Sequence, residues 1–206
     1  MKAQEAVILF TIALAGIVNG HVTANPNVGI PATSLITAFR VPHGCGTNGT
    51  VSISVSIADG VTSVKPRQLA GWNITLDYRP LVPPVVSEGV TVNTTVSAVT
   101  FTTTGVPLDV IYFEDFQIQM KLPAANDSTI LYFPTIQACT VGFNNWTQIP
   151  VTGQPTPSTP APSITLKTNG TLALAASSSV KSSANVQKFP AIMAVLIVAL
   201  MVAFNA

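Results

Sequence analysis

The central part of this chain, residues 21–150, is predicted to fold as an all-β domain, an antiparallel sandwich. Val, Thr, Ser and Pro dominate the region, a composition that favours strands and turns over helices. Short segments in which apolar and polar residues alternate recur along it, without helical periodicity. Gly, Pro, Asn and Asp stand between these segments, as they do in the turns that join antiparallel strands.

The clearest predicted strand covers residues 51–57 (VSISVSI), where alternation places four apolar side chains on one face and the serines on the other. Evenly spaced short strands of this kind are typical of Ig-like and cupredoxin-like sandwiches. The other predicted strands are 35–41, 72–78, one or two within 90–101, 113–122, 130–136 and a segment around Trp146. The predicted turns are 42–44, 58–60, 83–84 and 125–127.

The N-terminus has the features of a secretory signal. Lys2 precedes an apolar run over 6–18, and Val18 and Gly20 are suitable residues at −3 and −1, so we predict residues 1–20 as a signal peptide. Cleavage after Gly20 would make His21 the first mature residue. Its α-amine and an imidazole nitrogen can then chelate one metal ion, with Cu(II) favoured over the other common divalent metals. If cleavage falls elsewhere, His21 is an ordinary surface residue.

The C-terminal part differs in composition from the predicted sandwich. Residues 151–188 are rich in Pro, Thr, Ser and Ala, which predicts a disordered stalk. Residues 189–204 form an apolar run shorter than the roughly 20 residues of a membrane-spanning helix. Small residues and a polar spacer precede it, so we interpret 189–206 as a GPI-attachment signal, with a single membrane span as the alternative. The predicted location is the extracellular face of the plasma membrane or the cell wall.

Cysteines and sequons agree with an extracellular location. Cys45 and Cys139 are the only cysteines, and in a secreted chain they are predicted to form a disulfide. The alternative is two free thiols that act as copper ligands. Six Asn-x-Ser/Thr sequons together indicate a glycosylated protein of a eukaryote. They are at Asn48, Asn73, Asn93, Asn126, Asn145 and Asn169.

Several function classes lack support in the sequence. The net charge is +1 and no basic stripe is visible, so no nucleic-acid partner is predicted. The sequence contains no nucleophile-elbow motif, no zinc-protease motif and no phosphate-binding glycine loop. His21 and His43 are the only histidines, which leaves few bases for a serine-type triad. We therefore predict a protein that is not an enzyme.

Several segments, in their order along the chain, resemble the YcnI-like copper-binding domain family. The resemblance covers residues 21–150 and implies a β-sandwich that holds one Cu(II) ion, here in a fungal-type cell-surface protein. The segments are 21–26 (HVTANP), 39–45 (FRVPHGC), 57–61, 64–66, 71–74, 113–117 (FEDFQ), 132–139 (YFPTIQAC) and 146–150 (WTQIP).

In such a site the N-terminal histidine chelates copper through its amine and imidazole, an acidic side chain can complete the coordination, and a tryptophan lies nearby. The resemblance therefore implies His21 and Glu114 as ligands and Trp146 as the neighbouring ring. In the competing interpretation Glu114 is a solvated carboxylate at the start of a strand. A separate alternative for Trp146 is that it simply belongs to the sandwich core.

Three further residues are less favoured ligands. Asp77 and Glu88 are alternative carboxylates. His43 lies in a segment that resembles a turn leading into a disulfide. We thus expect a cell-surface Cu(II)-binding protein for copper capture, delivery or buffering, with a copper-transport partner and a lipid anchor in the membrane. The alternatives are a copper-dependent oxidase of surface polysaccharide, which needs His43 near His21, and a structural or adhesive cell-wall module without metal.

Overall fold

The computed structural model describes residues 20–87 and 89–168, and this part of the chain consists of strands joined by turns and loops. No helix in these two ranges is long and apolar enough to cross a membrane. The predicted signal peptide before Gly20, the predicted anchor signal, Glu88 and Asn169 lie outside the described residues. The strands are β1 (Thr23–Asn25), β2 (Val28–Gly29), β3 (Ser34–Val41), β4 (Thr50–Ser56), β5 (Thr62–Pro66), β6 (Trp72–Ser87), β7 (Val90–Thr103), β8 (Glu114–Lys121), β9 (Ile130–Tyr132), β10 (Thr135–Cys139), β11 (Phe143–Trp146) and β12 (Ser163–Leu166).

The strands form two main sheets and a small third one. The first sheet has the order β1-β3-β8-β5, and the second has the order β11-β10-β4-β7-β6. In the third sheet, β12 lies between β2 and β9. All pairs are antiparallel except β2 with β12. The prediction of an all-β antiparallel sandwich is therefore confirmed.

Aromatic residues from both main sheets meet in the core. Phe101 of β7 packs on Phe116 of β8 with ring centroids 5.0 Å apart, and Phe39 of β3 packs on Phe133 at 5.4 Å. All four rings are fully buried. The alternation seen in residues 51–57 also buries Ile53 and the two apolar residues that follow on the same face. Hydrophobic burial of these faces is the main force that holds the two sheets together.

Two predicted boundaries within the sandwich are wrong. The predicted turn at residues 83–84 lies inside β6, which continues from Trp72 to Ser87 with a break in register between Pro80 and Val85. β6 is the edge strand of its sheet, and an edge strand can accommodate proline because half of its N–H groups need no partner. The predicted strand 130–136 is two strands, β9 and β10, which belong to different sheets.

The predicted end of the domain at residue 150 is also wrong. β12 belongs to the fold, and its Ile164 and Leu166 are fully buried in the core. Residues 151–162, predicted as the start of a stalk, form a loop that returns to the sandwich. Gln148 pairs with Pro160, with the Ala161 N–H donating to the Gln148 carbonyl at 2.8 Å. The Pro/Thr/Ser-rich composition before β12 predicted disorder, but burial of the two apolar side chains of β12 stabilises this segment on the sandwich.

Candidate metal centre

His21 lies at one end of the sandwich, just before β1. Because Thr23 pairs with Arg40, His21 reaches the end of β3, where Pro42 follows. The half-buried imidazole meets the ring of Trp146 edge to face, with centroids 5.5 Å apart and planes at 73°. The predicted neighbourhood of His21 and Trp146 is thus present in the fold.

A backbone carbonyl fixes which ring nitrogen of His21 carries hydrogen. The Nε2 atom lies 3.2 Å from the carbonyl oxygen of Ser158, in the returning loop. A carbonyl oxygen can only accept a hydrogen bond, so Nε2 is the donor and Nδ1 retains its lone pair. Nδ1 is the ring nitrogen that can close a six-membered chelate ring with the α-amine of the same residue.

His43 lies at the same end of the sandwich and has the opposite arrangement. Its Nδ1 is 2.6 Å from the carbonyl oxygen of Gly44, so Nδ1 carries the hydrogen. Its Nε2 accepts a hydrogen bond from the backbone N–H of Gly20 at 3.0 Å. The structure therefore brings His43 to the residue that precedes His21, although the sequence ranked His43 among the less favoured ligands.

The turn that carries His43 has little freedom. A side chain at Gly44 would collide with the carbonyl oxygen of Asn48 and with Val110. The next residue, Cys45, forms a disulfide with Cys139 of β10, with an S–S distance of 2.06 Å. The disulfide prediction is confirmed, and it removes both thiols as copper ligands.

A buried amide that the sequence analysis missed, Gln137, connects Trp146 to the backbone of His43. Gln137 is 1% exposed. Its Nε2 donates to the carbonyl oxygen of His43 at 2.7 Å and to the Thr50 hydroxyl at 2.8 Å, and its Oε1 accepts from Trp146 Nε1 at 3.1 Å. The signal for it was its position in β10, on the same face as Thr135 and Cys139, which are both buried.

Trp146 is a core residue, as one of the two alternatives predicted, and its ring also contacts His21. It is 4% exposed and belongs to the hydrophobic core, which explains why a tryptophan is present at the end of β11. Its edge nevertheless faces His21. Core packing and the hydrogen bond to Gln137 hold this ring in one orientation beside the imidazole.

The predicted carboxylate Glu114 begins β8, opposite Val41 of β3. Its Oε1 accepts a hydrogen bond from the N–H of Asp115 at 2.9 Å, and its side chain lines a shallow depression with Arg67 and Leu69. β8 is two strand positions from β1, a separation of about 10 Å between strand axes. Glu114 therefore shares one end of the first sheet with His21 without touching its ring.

The neighbouring acid is already paired. Asp115 receives two hydrogen bonds from the guanidinium of Arg40, at 2.8 and 2.7 Å. Hydrogen bonding to Asp115 raises the pKa of Arg40 above its usual value. The same guanidinium lies 4.4 Å from the ring centre of Phe113. Asp115 thus has an arginine partner, whereas Glu114 forms no ion pair within residues 20–87 and 89–168.

The structure does not bring the alternative carboxylate Asp77 to His21. Asp77 is exposed on β6, at the edge of the second sheet opposite to β11, which carries Trp146. Four strand positions separate β6 from β11, about 19 Å. Asp77 is therefore too distant to share an ion with His21, and that prediction is wrong. Within residues 20–87 and 89–168, no three side chains of His, Cys, Asp or Glu form a ready metal cluster.

The described sequons are mostly accessible. Asn48 is half-buried, and its amide contacts the Cys45 carbonyl and the Thr140 hydroxyl at 3.4 and 3.3 Å. Asn145 precedes Trp146 on β11, and because neighbouring side chains on a strand point to opposite faces, it points away from the core. The exposed sequon residues are Asn73, Asn93, Asn126 and Asn145.

Comparisons with known proteins agree with this architecture. An uncharacterized protein from Nocardia farcinica, whose crystal structure reveals an immunoglobulin-like fold, is 25% identical to this chain with a TM-score of 0.54. The match covers 71% of this chain and 98% of the Nocardia chain. No curated protein matches the sequence. The family model described as a domain of unknown function, DUF1775, matches residues 21–166, ending where β12 ends. The chain therefore belongs to the DUF1775 family, the YcnI-like domains that its sequence resembles.

Proposed function

We propose that this protein binds one Cu(II) ion through His21 as the first residue of the mature chain. One observation carries the proposal: the Ser158 carbonyl holds Nε2 of His21 and leaves Nδ1 free. Removal of residues 1–20 would create an amine on the same residue, and the amine and Nδ1 would close a chelate ring on the ion. Amine and imidazole nitrogens suit Cu(II), which most nitrogen sites bind more tightly than the other divalent first-row metals.

The proposed site does not need a cluster of three metal-binding side chains. A chelate through the chain terminus takes two donors from a single residue, so few other side chains are needed. Glu114 is the proposed carboxylate ligand because β1 and β8 flank β3, and the start of β8 lies beside the end of β3. Trp146 would cover one side of the imidazole.

The role that we propose is copper capture, delivery or buffering at the outer face of the cell, with copper as the cargo. The disulfide between Cys45 and Cys139 and the four exposed sequons support passage through the secretory route. The lipid anchor proposed from residues 189–206 would keep the site at the cell surface, where a copper-transport partner could exchange the ion.

The test is a Cu(II) titration of the full chain, processed and purified from a cell that removes signal peptides, after N-terminal sequencing. We expect His21 as the first residue and one Cu(II) bound per chain. The matched variants are His21→Ala, which keeps the amine and removes the ring, and an extension of three alanines before His21, which keeps the ring and moves the amine. Each should weaken binding more than about tenfold, or by about 1.4 kcal/mol.

A mature terminus other than His21, or equal Cu(II) affinity in all three proteins, would contradict the proposal. Unfolding curves without copper serve as the control, because both changes lie before β1 and should leave the sandwich intact.

A further inference from the structure

We infer that Nε2 of His43 is a second imidazole ligand of the same copper ion, an inference that rests on the proposed function. The structure aims this nitrogen at the start of the mature chain: Gly20 N–H donates to it at 3.0 Å. The ligand set would then contain the amine and Nδ1 of His21 and Nε2 of His43.

The first argument is the hydrogen bond on the other side of the His43 ring. Nδ1 donates to the carbonyl oxygen of Gly44, and this contact keeps Nε2 unprotonated in the neutral ring. Metal-binding histidines commonly donate their second ring nitrogen to a backbone carbonyl, which fixes the tautomer and the orientation of the ring. His43 has this arrangement, with its Nδ1 2.6 Å from the Gly44 carbonyl oxygen.

The second argument is how firmly the backbone of His43 is held. Its carbonyl oxygen accepts a hydrogen bond from the buried amide of Gln137 at 2.7 Å. Two residues later, the disulfide ties Cys45 to β10. A ligand placed by a rigid turn binds with a smaller loss of entropy than one on a free loop.

The third argument concerns what signal cleavage removes. The partner of Nε2 is the N–H of Gly20, which belongs to the leader, so cleavage after Gly20 would leave the nitrogen lone pair without that partner. Nitrogens of consecutive residues are within about 4 Å, so the new amine on His21 starts no more than about 7 Å from Nε2. Two nitrogen ligands of one ion lie at most about 4 Å apart, given metal–nitrogen bonds of about 2 Å. A shift of about 3 Å by the freed terminal residue would close the site.

The proposed copper site would then have three nitrogen donors. Copper gains more from imidazole and amine ligands than the earlier divalent metals of the row do. Glu114 would then be a further ligand or an outer neighbour, and would no longer be needed to provide the third donor.

The experiment uses the processed full chain with its terminus at His21 and counts the imidazoles on Cu(II) by pulsed EPR. We expect two in the wild type and one in His43→Asn. Asparagine can still donate from its amide to the Gly44 carbonyl, and it has no nitrogen at the position of Nε2. Loss of a residue that only hydrogen-bonds to a metal ligand typically weakens metal binding by about 10–100-fold. Loss of a ligand itself should raise the Kd for Cu(II) by at least this factor.

The outcomes separate the two proposals. One imidazole in the wild type, with unchanged affinity in His43→Asn, would overturn the inference and leave the proposed function intact. If the wild type binds no Cu(II), or if His21→Ala binds as tightly as the wild type, the proposed function fails. The imidazole count of the wild type needs no variant, so it decides the inference even if His43→Asn fails to fold.

Discussion

Two regions of the molecule use side chains in opposite ways. In the histidine end, formed by His21, residues 42–45, Gln137 and Trp146, polar groups are buried and joined by hydrogen bonds. In the hairpin arm, formed by residues 80–87 of β6 and 90–92 of β7, apolar side chains face solvent: Val82 is 84% exposed and Val86 73%. Burying a polar group costs free energy unless it forms a hydrogen bond. The hydrogen bonds of the histidine end therefore hold its side chains in defined positions. The exposed valines of the arm form no comparable contacts, so their positions are less constrained.

The largest effect should come from breaking the link that fixes the histidine end to β10. Replacing Cys45 and Cys139 with alanine removes a crosslink between residues 94 positions apart. By the loop-entropy relation, the free energy of unfolding should fall by about 4–5 kcal/mol. Denaturant unfolding of the processed chain measures it. A loss below about 1 kcal/mol would mean that the hydrogen bonds of the turn hold this end without the crosslink.

A smaller effect should follow from removing the buried amide. Gln137→Leu leaves Trp146 Nε1 and the His43 carbonyl without their partner. We expect a loss of about 2–4 kcal/mol, because each buried group left unpaired costs about 1–3 kcal/mol. Gln119→Leu is the matched control: Gln119 is an exposed residue of β8, and its substitution should change stability by less than about 0.5 kcal/mol. Equal losses in the two variants would remove the distinction between the histidine end and ordinary surface.

The smallest effect should appear in the hairpin arm. Val86→Thr should change the free energy of unfolding by less than about 0.5 kcal/mol, because the side chain is already in solvent. The same substitution at Val55, which is fully buried, should cost about 1–3 kcal/mol for the unpaired hydroxyl. Thermal unfolding of both variants gives the contrast. A loss at Val86 as large as at Val55 would show that the arm is covered in solution.

Local alternation predicted most of the sandwich. The strand at residues 51–57 corresponds to β4, and that at 35–41 to β3, because each buries every second side chain. β12 was missed because its apolar pair, Ile164 and Leu166, is short and follows a Pro/Thr/Ser stretch. The burial of that pair depends on β2 and β9, which are distant in sequence.

The candidate site was predictable only in part. The position of His21 next to a predicted cleavage site indicated His21, and the resemblance of residues 146–150 indicated Trp146. The approach of His43 depends on how β1 pairs with β3, which local patterns do not specify. Glu88 and the two chain ends remain predictions, because they lie outside the described residues.

The contact between His21 and Ser158 also has a consequence for the order of events during synthesis. The two residues are 137 positions apart, so His21 emerges from the ribosome long before the loop that supplies its carbonyl partner. The tautomer that leaves Nδ1 free is selected only when the returning loop docks beside β11. Until the last strand is made, His21 is without the carbonyl that sets its tautomer, and only the finished fold holds its Nδ1 free of hydrogen.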